Sequence, residues 1–232
     1  MMLKKSLCMS AVFVVSQAQA ADIEISVTNL TYGLHFTPVL VAAHPTSTRL
    51  FQSGATATPA LQKMAEGGDI AELADIVSAA AGNTLVNPAK GLLAPGATTT
   101  GMLQTTGTNT LLSVTAMLLP TNDGFVGLNS WPIPTEKGTY TVMLNAYDAG
   151  TEANDERVVE GSGAPNIRGI PAAPGANAGT GGSGITVEEL NKTVHIHRGS
   201  LGDDNLTGGK SDLDNRVHRW LNPVARLTVT VK

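Results

Sequence analysis

The stretch from Leu118 to Glu156 constrains this chain most strongly, because it brings two apolar runs to acidic turns that contain glycine. In the first run Leu112, Val114, Ala116 and Leu118 alternate with Ser113, Thr115, Met117 and Leu119, the pattern of a mid-sheet strand with both faces largely covered. It leads to Asp123-Gly124, and Phe125-Val126-Gly127 follows. The second run spans 139–147, with Tyr140, Val142, Leu144 and Ala146 on one face, and delivers Asp148 into Ala149-Gly150-Thr151-Glu152. Side chains at strand ends can converge on one rim of a sheet without occupying its core. Asp123, Asp148 and Glu152 are therefore the candidate metal-ligating residues. Carboxylates drawn within a few ångströms repel one another, so such a group either raises a pKa or holds a cation. Ca2+, a hard cation with oxygen ligands, is the simplest occupant.

The same residues admit a plainer role. Asp-Gly and Asp-Ala-Gly-Thr are common turn sequences in which the aspartate accepts a backbone N–H. The spacing is what favours an ion: Glu152 follows Asp148 by one short turn across Gly150, which can aim both carboxylates at one point, and Asp155 and Glu156 add charge nearby.

The rest of the pattern is mainly β. Ile23, Ile25 and Val27 alternate with Glu24, Ser26 and Thr28, and 38–43 forms a more fully apolar strand flanked by His35 and His44. Those histidines lie at opposite ends of a strand with no third ligand near, which suits hydrogen-bonded or surface side chains. The closing strand sets Ala225, Leu227, Val229 and Val231 inward against Arg226, Thr228, Thr230 and Lys232 outward. Helix is expected only in 58–81, broken at Gly67-Gly68. There Asp69 and Glu72 have capping-box spacing, and Ile70, Leu73, Ile76, Val77 and Ala80 form a packing stripe.

Residues 161–184 are dominated by Gly, Ala and Pro and are expected to form a flexible surface loop. A short strand over 191–198 puts His195 and His197 on one face, an arrangement shared by zinc pairs and by plain exposed positions. Asp203, Asp204, Asp212 and Asp214 follow in a polar loop whose spacing fits no EF-hand.

The N-terminus reads as a signal peptide over 1–20: Lys4 and Lys5, an apolar core from Leu7 to Val15, and the small-residue site Ala18-Gln19-Ala20. That core is too short to cross a bilayer, so a secreted or periplasmic protein is expected, surface-associated at most, with 21–232 as one domain and no membrane insertion. Cys8, the only cysteine, lies ahead of most of the apolar run, which does not suit a lipid-bearing position. The remaining chain has no disulfide to hold it, which makes a bound ion a more plausible staple. Loss of Lys4 and Lys5 takes the net charge from −4 to about −6, which argues against nucleic acid or anionic lipid as a partner.

Signatures of catalysis are missing. The sequence has no G-x-S-x-G elbow and no H-E-x-x-H helix. Asp123 and Glu152 could serve as the acid and base of a glycoside hydrolase, but such clefts usually carry aromatic rings, and only Trp131 and Trp220 supply indoles.

Several stretches together resemble the spondin N-terminal domain, the module of F-spondin and mindin that also occurs in secreted bacterial proteins. They are HFTPVLVAAH at 35–44, LFQSG at 50–54, MLLPTNDGFVG at 117–127, AYDAGTE at 146–152 and WLNPVARLTVTV at 220–231. The resemblance implies an all-β, C2-like antiparallel β-sandwich with one or two short helices packed on it, and calcium held at loops on one rim. The family's ligands fall on Asp123, Asp148 and Glu152, although the family pattern has aspartate at the last of these and animal members have tryptophan at Gly124. The implied role is a non-catalytic adhesion or interaction module with an extracellular protein or glycan as partner. The alternative is a carbohydrate-binding or carbohydrate-processing protein using the same acidic rim.

Overall fold

The computed structural model describes residues 22–164, 167–174, 178–186 and 188–232; the expected signal peptide and Cys8 lie outside them. Twelve elements follow along the chain: β1 (Asp22–Asn29), β2 (His35–Phe36), β3 (Leu40–His44), α1 (Pro59–Gly67), α2 (Ala71–Ala79), β4 (Asn83–Val86), β5 (Thr98–Gln104), β6 (Leu111–Leu119), β7 (Gly124–Pro132), β8 (Gly138–Asp148), β9 (His195–Ile196) and β10 (Ala225–Val231). Among the described residues these strands join one antiparallel sheet in the order β4-β3-β6-β7-β8-β10-β1-β5, with β2 on β6 and β9 on β8. The two end strands approach each other: a Cβ added at Gly101 of β5 would lie 2.7 Å from the Leu85 side chain of β4. The nearly closed sheet is the expected all-β, sandwich-like fold.

Alternation decides which residues face the interior. Ile23, Ile25 and Val27 of β1 meet Leu227, Val229 and Val231 of β10 in a core that also takes Leu112, Val114, Ala116 and Leu118 from β6. The outward set of the central strands, including Leu40, Ala42 and Met117, lies under the helices against Leu61, Met64, Leu73 and Val77. β3 and β6 are therefore covered on both faces.

The helices start for different reasons. The Thr58 hydroxyl accepts the Leu61 N–H at 3.2 Å, with proline in the first turn of α1. The capping box expected at Asp69 and Glu72 does not form. Asp69 accepts the Ala71 N–H at 2.9 Å, but Glu72 reaches across to Lys63 of α1 instead of back to its own helix start. The apolar stripe is also narrower than expected, because Ile76 is 41 % exposed.

The C-terminal third departs most from a reading by periodicity. The strand expected over 191–198 shrinks to His195–Ile196. Carboxylate acceptors organise the rest: the buried Glu156 takes the N–H groups of Leu201 and Gly202 at 2.6 and 2.8 Å and the Ser211 hydroxyl at 2.7 Å. Asp212 takes those of Val158, Thr180 and Gly182, at 2.7, 2.8 and 2.7 Å. Asp203 binds the N–H groups of Lys210 and Ser211 at 2.8 and 2.9 Å. Within 161–184 Ile170 and Ala173 are buried, and Ile170 donates to the Arg157 carbonyl at 2.8 Å.

Candidate functional site

The site forms where β7 begins and β8 ends. Phe125 pairs with Tyr147 and Gly124 with Asp148 in the antiparallel register, which sets Asp123 beside the turn that follows β8. The Ala149 N–H donates to the Asp123 carbonyl at 3.2 Å. Rings hold this register from behind: Phe125 stacks on Tyr147 with centroids 5.6 Å apart, and Phe51 meets Phe125 edge-on at 5.1 Å. A one-residue slip would turn Phe125 onto the opposite, already filled face of the sheet and move the acidic ends out of register.

Asp123 is fully buried. Its Oδ2 accepts the Thr151 N–H at 2.8 Å, the Glu152 N–H at 3.1 Å and the Thr151 hydroxyl at 3.2 Å. Its Oδ1 is buried with no hydrogen-bond partner. Asp148, also buried, accepts the Gly150 N–H at Oδ1, 2.8 Å away, and the Asn154 amide at Oδ2, 2.7 Å away. Burial pushes the Asp123 pKa well above the usual carboxylate range, and the neighbouring charge of Asp148 pushes the same way. Burial raises Asp148 too, against the donors from Asn154 and Gly150. An orphaned carboxylate oxygen beside a second buried carboxylate has the composition of a hard-cation site.

Glu152 takes a different part. Its backbone N–H supports Asp123, while its carboxylate turns to accept the Gly169 N–H at 3.0 Å and the Asn122 amide at 3.3 Å. Burial pushes its pKa up to about 7. Asp123 and Asp148 are thus brought together, and Glu152 adjoins them through its main chain. Among the described residues no three Asp, Glu, His or Cys side chains form a metal-holding group. An ion between the two aspartates would draw further ligands from carbonyls, amide oxygens or water.

The histidines separate. His195 Nε2 lies 3.7 Å from Asp148 Oδ2, while His197 is buried on Trp220 with ring centroids 4.9 Å apart. His197 Nδ1 accepts the Gly199 N–H at 3.0 Å, and burial pulls its pKa down to about 3. Farther off, His44 is buried with Nε2 2.8 Å from the Ser113 hydroxyl, and His35 keeps a buried Nδ1 without a partner.

Sequence reasoning passed over Asn122 and Asn154. Asn122 bridges Glu152, Asp155 and the Glu156 N–H, and Asn154 clamps Asp148. Both lie within a few residues of the flagged carboxylates, which is the one signal that could have found them.

A family profile described as Spondin_N matches residues 28–157, over half the chain, from the end of β1 through both acidic turns. The chain belongs to the Spondin_N family. The family is extracellular, of adhesion type, and non-enzymatic. No curated protein matches the sequence at a meaningful level. Among the described residues, no helix of this Spondin_N protein is long and apolar enough to cross a membrane. Glycine at position 124 has a local reason: an added Cβ would lie 2.7 Å from the Thr121 hydroxyl and 3.0 Å from His197. The buried His197 ring occupies the space that a larger residue there would need.

Proposed function

We propose that this Spondin_N chain is a secreted or periplasmic, calcium-stabilised module that serves adhesion or extracellular interaction without catalysis. The observation that carries the proposal is the Asp123 Oδ1 atom, buried and unpartnered beside the buried Asp148. Asp123 and Asp148 would hold the ion, and Glu152 would support them chiefly through its N–H. Bound calcium would supply charge neutralisation, fixing the turn after β8 to the start of β7.

The carbohydrate-processing alternative has less support. Asp123 and Glu152 are 0 % and 3 % exposed, so a sugar ring could not reach both. General acid–base chemistry needs direct reach to the substrate. The partner is expected to be an extracellular protein or glycan, bound at a surface other than these buried carboxylates.

Thermal unfolding in chelator and in calcium tests the proposal. Native-state binding stabilises by about 2.7 kcal/mol at a hundredfold excess over Kd, which is roughly 5–11 °C in Tm for a chain of this size. An identical Tm in both conditions would remove calcium from the account.

A further inference from the structure

A cavity of about 200 Å³ opens beside the Spondin_N core, lined by Arg157, Arg168, Asp155, Ser183, Gly184 and Thr186. Apart from Asp155 and Arg157, these residues follow the segment matched by the family profile. Hydrogen bonds bring the segments that carry the two arginines together. Val158 and Ile170 form a bridge, Ile170 donates to the Arg157 carbonyl at 2.8 Å, and Gly169 donates to Glu152 at 3.0 Å. The opposite wall is tied to the chain beyond it: Ser183 and Gly184 donate their N–H groups to the Gly209 and Lys210 carbonyls at 3.1 and 2.8 Å. A third cation stands behind that wall, where Arg198 donates to the Thr186 hydroxyl at 3.2 Å.

Among the described residues neither Arg157 nor Arg168 makes an ion pair, in a protein whose net charge is −4. The carboxylate in the same wall, Asp155, uses its Oδ1 to accept the Asn122 amide at 2.9 Å and the Arg157 N–H at 3.1 Å. Two arginines line this one small space, and an oxyanion held there would gain charge-assisted hydrogen bonds from both. The volume is below that of a drug-sized pocket, so it suits one anionic group and a few attached atoms. Asp155 and Ser183 would then meet hydroxyl groups beside the anion, whereas a bare inorganic anion would face Asp155 with nothing to offer it.

We propose that this cavity binds a carboxylate or sulfate group carried on a small hydroxyl-bearing ligand, with Arg157 and Arg168 as the anion-holding residues. The cavity is separate from the proposed calcium ligands, since Asp123 and Asp148 do not line it, and it adjoins Glu152 through the Gly169 N–H and the Asn122 amide.

Calorimetric titration of the full mature chain with sodium glucuronate and with glucose 6-sulfate tests it, each run in calcium and in chelator. Glucose and inorganic sulfate serve as the single-feature controls. Binding of either charged sugar is expected at a Kd on the order of millimolar, and the arm that binds identifies the anion. The double variant R157Q/R168Q is expected to weaken it about tenfold or more, while K137Q, which removes an exposed charge elsewhere, leaves it unchanged. Both arginines are exposed, so their replacement should leave the Tm in place. No binding by either sugar, glucose or sulfate binding as tightly, or full binding by R157Q/R168Q would overturn the assignment. Binding that persists in chelator while calcium has no effect on Tm would leave this site standing and the calcium site refuted.

Discussion

Thr151 donates its backbone N–H to Oδ2 of Asp123 at 2.8 Å, so the turn after β8 hangs on the carboxylate that precedes β7. Asp123 therefore has two tasks. One oxygen closes the turn, and the other is buried without a partner, within reach of the charge of Asp148.

Separating those tasks gives the first prediction. Asp123→Asn keeps an oxygen for the Thr151 and Glu152 N–H groups and removes a charge beside Asp148. In chelator at neutral pH the variant is expected to melt at or above the parent Tm. In calcium it is expected to lose the parent's gain of roughly 5–11 °C, which differential scanning calorimetry reads directly.

The acid dependence has a definite sign. Burial raises the Glu152 pKa from 4.5 to about 7, so between these values the folded chain holds a proton that the unfolded chain has released. That contribution to stability is fully present below pH 4.5 and is lost as pH rises through about 7. Asp123 and Asp148, also raised, act in the same direction. Tm in chelator should therefore fall as pH rises across this window, and Glu152→Gln should flatten the fall. Calcium favours the ionised aspartates, so its stabilising effect should grow with pH over the same range. A calcium effect that shrinks toward neutral pH would contradict this.

Gly150 is the tightest point of the turn. It sits at φ +70°, and an added Cβ would lie 2.7 Å from the Thr193 N and 2.8 Å from the Asn191 carbonyl. Gly150→Ala therefore meets both backbone strain and a main-chain clash. A loss of more than about 1 kcal/mol is expected in denaturant unfolding, together with weaker calcium binding, because the Gly150 N–H holds Asp148.

Much of the fold was legible because its signal is local. The strand at 225–231 and the doubly covered β6 follow from side-chain alternation, and Thr58-Pro59 marks a helix start. The approach of Asp123 to Asp148 was also readable, since each is set at a strand end by the apolar run beside it. Where the Glu152 carboxylate points was not, because its partners Gly169 and Asn122 are fixed by tertiary packing. The organisation of 199–214 escaped for the same reason. Its acceptors, Glu156 and Asp212, bind main-chain groups tens of residues away, and no periodicity records such contacts.

Those remote acceptors can be tested without reference to calcium. Glu156→Ala strands the N–H groups of Leu201 and Gly202 and the Ser211 hydroxyl. The buried Ser211 hydroxyl left unsatisfied costs about 1–3 kcal/mol and the two part-buried N–H groups lose their acceptor, so limited proteolysis is expected to cut within 199–213 well before the sheet unfolds. Protection equal to that of the parent would show that the segment is held by other contacts.

The most direct measurement is an anomalous difference map from crystals of the protein grown in calcium. A peak about 2.3–2.6 Å from Oδ1 of Asp123 and from a carboxylate oxygen of Asp148 is expected, absent in crystals of Asp123→Asn. A map with no ion there, and Asp123 Oδ1 capped by a donor in its place, would contradict the account.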